Sequence, residues 1–242
     1  MNKEKNIKEE FISTLSHEIR TPLTSIKGFC QTMLTSWDLI DEEKKKEFLG
    51  IILGQSQRLI NLVENVLNVA KIDSNSDKII LSKVEINSLI KNSINVLKMN
   101  YKDFEFNFNS TLKEIDLLID SNKTQQILLN ILDNAGKYSQ NSKKIEIKTQ
   151  IKKDFCEISI LNYGSFIEKD YIEKIFEKFY RIDSYITSST QGSGLGLYIA
   201  KSLIEKMDGY IKVNSIKEKQ TTEFLIYLPL YEVEKLTKKI GA

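Results

Sequence analysis

The sequence predicts an α+β protein in two parts. An N-terminal helical hairpin is expected to pair with a second copy into a four-helix bundle, and an α/β sandwich follows it. Two observations support this prediction. Apolar residues recur at spacings of three and four through the first third of the 242 residues, which is typical of long helices with one apolar face. From Lys78 onward, short segments of alternating apolar and polar residues stand between helical segments, as in a sheet covered by helices.

The predicted hairpin carries two apolar seams, one on each helix. The first seam consists of Ile12, Leu15, Ile19, Pro22, Ile26, Phe29 and Met33. The second consists of Phe48, Ile52, Gln55, Leu59, Leu62, Val66 and Val69. The pattern breaks between Ser36 and Asp41, where we expect the connecting loop, and Pro22 is expected to strain or kink the first helix. Two narrow seams bury little surface alone, so we expect a homodimer that joins two hairpins through them.

The second part mixes helices and strands. Helical periodicity covers 86–99, 124–138 and 195–207, with a short amphipathic piece at 173–180 inside a long irregular segment, 163–191. Alternation predicts strands at 104–108, 145–148, 156–160, 210–213 and 223–228, and 114–120 is expected to pair with the first of them. A polar linker at 73–77 separates the two predicted domains, 1–73 and 78–242.

Composition excludes several classes of protein. The net charge is +2, from 35 basic and 33 acidic residues, so neither nucleic acid nor an anionic membrane is expected as the main partner. Cys30 and Cys156 lack the close spacing of a metal knuckle or redox pair, and we expect reduced thiols. No run of about 18 apolar residues occurs and the N-terminus is charged, so a transmembrane helix or signal peptide is not expected. The chain is predicted to be cytoplasmic.

His17 is the only histidine of the chain, and the periodicity of the first helix places it opposite the apolar seam. An exposed imidazole is mostly neutral near pH 7 and offers a nucleophilic nitrogen, which suits a phosphoryl acceptor. A surface histidine without function is the alternative interpretation of this position alone.

Two further motifs point to a nucleotide. Asn130, Asn134, Lys137 and Tyr138 form one polar stripe of a predicted helix, whose opposite stripe can face the sheet. An amide oxygen can complete a Mg2+ site made of phosphates and waters, and a lysine can neutralise phosphates. The glycine-rich turn at 191–197 precedes a helix, where backbone donors can approach phosphate. It matches neither a Walker loop nor a dinucleotide fingerprint.

Taken in order, these motifs resemble the catalytic core of a sensor histidine kinase of a two-component system. The segment 16–23, Ser-His-Glu-Ile-Arg-Thr-Pro-Leu, is similar to the phosphoacceptor box. The segments 130–138, 175–181 and 192–197 are similar to the N box, the F box and the second glycine box. The resemblance implies a dimerisation and histidine phosphotransfer hairpin, followed by an ATP-binding domain of the type found in Hsp90, gyrase B and MutL.

The resemblance also implies an activity and a set of site residues. The chain would phosphorylate His17 with ATP and pass the phosphoryl group to an aspartate of a response regulator receiver domain. Glu18 would accept a hydrogen bond from the other imidazole nitrogen, and Thr21 matches the position that orients water for dephosphorylation of the regulator. Asn134 would bind Mg2+ with Asn130 assisting. Further nucleotide contacts are implied for Lys137, Tyr138, Asn162, Gly164, Ile167, Phe179, Arg181, Gly192, Gly194, Leu195 and Gly196.

The sequence departs from the family pattern at its first glycine box. The usual Asp-x-Gly-x-Gly is replaced by Asn-Tyr-Gly-Ser-Phe at 162–166, and Gln191 replaces the usual first glycine of the second box. Asn162 keeps an amide oxygen for the adenine amino group, whereas Phe166 is expected to stiffen the lid hinge. We expect a competent but weakly binding nucleotide site.

Two alternatives remain open at this stage. The chain could be a phosphatase with little kinase activity, or a degenerate kinase that serves as a dimeric scaffold. The resemblance further implies that the full-length protein is anchored in the cell membrane through an upstream sensor, with this part facing the cytoplasm.

Overall fold

The computed structural model describes residues 2–74, 76–139, 142–182 and 192–230, with side chains described from Ile12 onward. The chain divides into two compact units between Lys71 and Ile72, beside the predicted linker. Within the described residues, no helix is both long enough and apolar enough to span a membrane. Cys30 and Cys156 are free thiols.

The first unit is a helical hairpin. Helix α1 covers Asn2–Ser36, a short 3-10 turn covers Trp37–Leu39, and helix α2 begins at Glu42 and ends at Asp73. The predicted loop position is therefore confirmed, and α1 continues as a helix through Pro22. The Phe29 and Phe48 rings lie 5.0 Å apart and connect the two helices near the loop.

The two predicted seams pack in part inside a single hairpin. Met33 and Leu62 are only 7% and 5% exposed in one chain, so these positions are covered within the hairpin, whereas Ile12 at the start of the first seam is 53% exposed. The role of the two seams in an interface between copies stays a prediction. A different stripe of α2, offset by one residue, is left uncovered, and its apolar members are between 46% and 71% exposed. This outer stripe consists of Leu49, Leu53, Ile60, Val63 and Leu67.

The second unit contains three helices and seven strands within the described residues. The helices are α3 (Ile86–Lys98), α4 (Ser121–Tyr138) and α5 (Gly196–Lys206). The strands are β1 (Ser82–Glu85), β2 (Glu105–Ser110), β3 (Asp116–Ile119), β4 (Lys144–Lys152), β5 (Phe155–Tyr163), β6 (Tyr210–Ile216) and β7 (Thr221–Pro229). The predicted helices at 86–99, 124–138 and 195–207 are confirmed, with ends that differ by at most three residues.

Five of these strands form the main sheet, in the order β2-β4-β5-β7-β6. Strand β2 runs parallel to β4, and the other neighbours are antiparallel. Alternation along β4 and β5 places Ile147 and Ile160 opposite each other on one face, where both are fully buried. Ile131 and Leu132 of α4 are also fully buried. The core therefore lies between the helices and one face of the sheet.

The pairing predicted for 114–120 is wrong. Strand β3 pairs antiparallel with β1 in a separate two-stranded sheet, and β2 pairs with β4 instead. Strand β1 contains a single apolar residue, Val84, and therefore has no alternating pattern that could reveal it.

The irregular segment before α5 is described in part. The amphipathic piece forms a 3-10 turn at Lys174–Phe176 that buries Ile175 and Phe176, and a second turn covers Lys169–Tyr171. The remainder of the predicted irregular segment, 183–190, lies outside the described residues, as does Gln191.

Candidate functional site

The predicted phosphoacceptor lies on the exposed surface of α1. His17 is exposed, as its position opposite the seam predicts. Thr21, one turn further along, is also exposed, and its hydroxyl donates to the carbonyl oxygen of His17 over 3.2 Å. The imidazole is therefore accessible to a reactant from solvent, and the threonine hydroxyl is held against the backbone of the same residue.

Glu18 connects α1 to α2. Its carboxylate accepts a hydrogen bond from Arg58, with Nη2 and Oε2 3.1 Å apart, and both side chains are largely buried. A guanidinium fixes a carboxylate better than a flexible ammonium does, because its donors are planar. Sequence reasoning gave Arg58 no role. The pairing of Glu18 with the imidazole of His17 remains a prediction for the reacting state.

Hydrogen bonds at the first turn of α4 fix where the helix begins, and therefore the direction in which its polar stripe faces. The Asp120 carboxylate accepts from the backbone N–H of Lys123 over 3.0 Å, which caps the helix, and from that of Ile80 over 2.9 Å. On the stripe that faces the sheet, Ile127 and Ile131 are buried, as predicted. The other stripe is left half-buried beside the sheet core, and it carries Asn130, Asn134, Lys137 and Tyr138.

The second glycine box contacts the N box. The side-chain amide of Asn130 donates to the carbonyl oxygen of Gly196 over 3.2 Å. A Cβ atom at position 196 would lie 3.6 Å from the Asn130 side chain, so the two segments are in van der Waals contact. Leu195, just before α5, is fully buried and anchors the turn, whereas no described residue lies within 4 Å of a Cβ atom placed at Gly192.

The same turn contacts the F box on its other side. The N–H of Phe179 donates to the carbonyl oxygen of Gly194 over 3.0 Å. Gly194 has φ +68°, and a Cβ atom there would lie 2.7 Å from the carbonyl carbon of Phe179. Only glycine therefore fits at this position. Phe179 itself has φ +61°, which is uncommon for an aromatic residue. Arg181 follows it and is half-buried.

Asn162 lies at the end of β5 and is only 2% exposed. Its amide nitrogen donates to the Ser165 hydroxyl oxygen over 3.3 Å. An amide oxygen is a hydrogen-bond acceptor, so Asn162 is chemically able to accept from a ligand amino group. Because a serine hydroxyl can accept or donate, Ser165 can also support the opposite orientation of the amide.

Several residues around Asn162 were missed by sequence reasoning. Thr222 lies directly opposite Asn162 on β7, is 2% exposed, and donates from its hydroxyl to the carbonyl oxygen of Ser165 over 3.1 Å. The Ser215 hydroxyl accepts from the N–H of Ile167 over 2.7 Å. Such threonine and serine residues are common in strands, and only the cross-strand register identifies them.

The remaining residues of the first glycine box have ordinary structural roles here. Gly164 has φ +106°, and its N–H donates to the carbonyl oxygen of Gln220 over 2.7 Å. The Phe166 ring lies beneath the ammonium of Lys217, 5.4 Å from the ring centroid. The larger side chain is therefore accommodated by the β6–β7 turn.

The oxygen ligands that these residues offer fit a metal ion that binds together with the phosphates of a nucleotide. Within the described residues, no group of three His, Cys, Asp or Glu side chains could hold a metal ion. The half-buried amide of Asn134 offers one oxygen ligand, and Mg2+ commonly keeps several waters and substrate phosphates as its other ligands. The residues present therefore fit a Mg2+–nucleotide complex rather than a resident metal.

The second unit is an α/β sandwich in which a glycine turn lies between an asparagine-bearing helix and the F-box segment. The first unit is a helical hairpin with an exposed histidine. Two family models match: the His Kinase A (phospho-acceptor) domain over residues 7–75, and the histidine kinase-, DNA gyrase B- and HSP90-like ATPase over residues 119–232. The chain belongs to the sensor histidine kinases of bacterial two-component systems and corresponds to their catalytic core.

Related proteins agree with this assignment. The signal transduction histidine-protein kinase ArlS of Staphylococcus haemolyticus is 35% identical over 92% of this chain and 49% of its own length. The sensor protein kinase WalK of Staphylococcus aureus is 35% identical over 94% of this chain and 55% of its own length. The chain thus spans about half the length of these relatives.

Solved structures share the fold. A histidine kinase AdeS from Acinetobacter baumannii superposes with a TM-score of 0.71 at 19% identity, covering 89% of this chain and 98% of that one. The structure of the histidine kinase ThkA in complex with the response regulator protein TrrA gives a TM-score of 0.72 at 24% identity, covering 95% of this chain and 64% of that one.

Proposed function

We propose that this chain catalyses ATP-dependent phosphorylation of His17 and transfers the phosphoryl group to an aspartate of a response regulator. The observation that carries the proposal is the position of the glycine turn. Gly196 contacts Asn130 of the N box, and Gly194 contacts Phe179 of the F box, so three separate motifs meet at one place. Backbone N–H groups at the start of α5 are suited to bind phosphates there.

Each motif has a chemical task in this reaction. A ring nitrogen of His17 attacks the γ-phosphorus of ATP, the bond to the bridging oxygen breaks, and ADP leaves with the electron pair. Glu18 accepts the hydrogen bond and then the proton of the other ring nitrogen, and Arg58 fixes the orientation of its carboxylate. Lys137 and Arg181 neutralise the phosphates, while Tyr138 flanks the nucleotide. Bound Mg2+, held by Asn134 with Asn130 assisting, would neutralise charge on the phosphate oxygens.

Recognition of the base rests on Asn162. Its side chain is 2% exposed at the end of β5, and its amide oxygen can accept from the exocyclic amino group of adenine. Gly164 and Ile167 follow it in the segment held by β6 and β7. Thr222 adds a buried hydroxyl at the same place. The pocket therefore favours ATP as phosphoryl donor.

We assign the outer stripe of α2 to a homodimer interface. Five large apolar side chains are exposed on one helix face at heptad spacing, which is typical of a helix that packs against a second partner in a bundle. A four-helix bundle of two hairpins would cover this stripe. The exposed face of α1 around His17 is then available to a response regulator receiver domain. The cytoplasmic location and the anchoring by an upstream sensor stay predictions from the family resemblance.

Phosphatase activity toward the regulator is part of the same proposal. The Thr21 hydroxyl is exposed one turn from His17, and its donated hydrogen bond to the His17 carbonyl leaves its lone pairs able to orient a water.

The test is incubation with labelled ATP and Mg2+, followed by acid and alkali treatment of the product. We expect an acid-labile, alkali-stable label that disappears in His17→Gln, because the chain has no other histidine. Nucleotide binding should persist in that variant, since the acceptor and the ATP pocket lie on different units. Asn134→Ala should suppress labelling through loss of a Mg2+ ligand. Persistent labelling of His17→Gln would refute the assignment of the acceptor.

A further inference from the structure

An aromatic ring occupies the space that a side chain at position 136 of α4 would need. A Cβ atom at position 136 would lie 2.6 Å from Cζ of Tyr101, well inside van der Waals contact. Tyr101 follows α3, and its ring packs edge-on against Phe104 with centroids 5.0 Å apart. The last turns of the N-box helix are thus supported by a residue that no motif contains.

The hydroxyl of Tyr101 reaches the neighbouring carboxylate. It donates to Oδ1 of Asp133 over 2.8 Å and lies 3.2 Å from the Asp133 carbonyl oxygen. Burial of the phenol and the nearby negative charge of Asp133 raise the pKa of Tyr101 well above its ordinary value. The hydroxyl therefore stays protonated and acts as a constant donor.

The other oxygen of this carboxylate holds the N-box lysine. Oδ2 of Asp133 lies 2.5 Å from Nζ of Lys137, one helical turn away. An i,i+4 pair on a partly exposed helix contributes little stability. Its position is informative, because the anchored carboxylate restrains the ammonium that the proposed function assigns to phosphate binding. The ammonium has three donors, so two remain for phosphate oxygens.

We propose that Tyr101 is a positioning residue that orders Lys137 through Asp133 and thereby tightens the binding of nucleotide phosphates. The inference rests on the proposed phosphate contact of Lys137. A lysine that is already ordered loses less side-chain freedom when a phosphate binds. Without the hydroxyl, the carboxylate can rotate and the ammonium becomes mobile. The effect should therefore depend on the phosphates of the ligand and on Lys137.

The experiment measures dissociation constants of ATP and of adenosine for the full chain in the presence of Mg2+, by competition with a fluorescent nucleotide. Tyr101→Phe keeps the ring over Gly136 and removes only the hydroxyl. We expect it to raise the dissociation constant of ATP about two- to tenfold, as loss of order in one lysine side chain predicts. The constant for adenosine should stay unchanged. Tyr210→Phe, the same change on the opposite face of the sheet, is the control.

A double-mutant cycle separates this inference from the proposed function. In a Lys137→Met background, Tyr101→Phe should change the ATP constant by less than about twofold, because the ordered group is gone. Equal weakening of ATP and adenosine, an undiminished effect in the Lys137→Met background, or unchanged or tighter ATP binding in Tyr101→Phe would overturn the positioning role. A Lys137→Met variant that binds ATP normally would instead refute the phosphate role of Lys137 itself.

Discussion

Substitution of Leu53 by aspartate should separate the proposed dimer without unfolding the hairpin. Leu53 belongs to the outer stripe of α2 and is 71% exposed in one chain, so Leu53→Asp removes few contacts within the hairpin. In a dimer the new carboxylate would be buried, which costs several kcal/mol when no partner is available. Two-fold symmetry brings two copies into the interface. A total penalty of about 6 kcal/mol raises the dissociation constant about ten-thousand-fold.

The same change at Leu62 should act differently. Leu62 is 5% exposed within one hairpin, so Leu62→Asp loses about 1.5 to 3 kcal/mol of apolar burial and adds the cost of an internal charge. We expect loss of the hairpin itself. Asn61→Asp, on a third and exposed side of the helix, adds the same charge at neither face and serves as control.

Light scattering at several protein concentrations gives the oligomeric state, and circular dichroism gives the helix content. The expected result is a helical monomer for Leu53→Asp, reduced helicity for Leu62→Asp, and no change for Asn61→Asp. If Leu53→Asp remains dimeric while Leu62→Asp becomes a fully helical monomer, the inner seam forms the interface and our assignment of the two faces is wrong.

Three further outcomes can be measured. Gly136→Ala should lower the free energy of unfolding by about 1 to 3 kcal/mol in denaturant titrations, because the new Cβ atom would overlap the Tyr101 ring. This cost should exceed the gain from the higher helix propensity of alanine. Equal stability would mean that the ring moves freely. Asn162→Asp should widen the preference for ATP over GTP by about 0.5 to 1.5 kcal/mol in competition binding, since aspartate only accepts hydrogen bonds; an unchanged margin would show that Asn162 does not contact the base. Thr21→Ala should slow dephosphorylation of a phosphorylated regulator more than autophosphorylation, which a time course with purified regulator would test.

Much of the fold could be predicted because its elements carry strong periodicity. The strands β4 and β5 alternate isoleucines with polar residues, and the helix α4 has an apolar stripe on one side and a polar stripe on another. The motifs that contact each other around Gly194 also stand out in the sequence. Local pattern and chain order were enough for these parts.

Other features depend on contacts between distant segments. Both faces of α2 are apolar at heptad spacing, and the sequence does not say which one α1 covers; only the burial of Leu62 decides it. Strand β1 has a single apolar residue, and its partner became clear only from the register of Val84 with Leu117. Tyr101 carries no motif, and its contact with Gly136 joins residues 35 positions apart, which no periodicity could predict.

The backbone of Phe179 has a consequence for how the nucleotide pocket responds to its ligand. A bulky residue with positive φ stores roughly 1 to 3 kcal/mol, and such strain persists only when neighbouring contacts hold it. One contact that holds this backbone is the hydrogen bond from its N–H to the Gly194 carbonyl oxygen, in the turn expected to bind phosphate. Any shift of that turn releases the strained peptide, and any relaxation of the peptide withdraws its N–H from the turn. We therefore expect the F box and the phosphate-binding turn to change conformation together when a nucleotide binds or leaves.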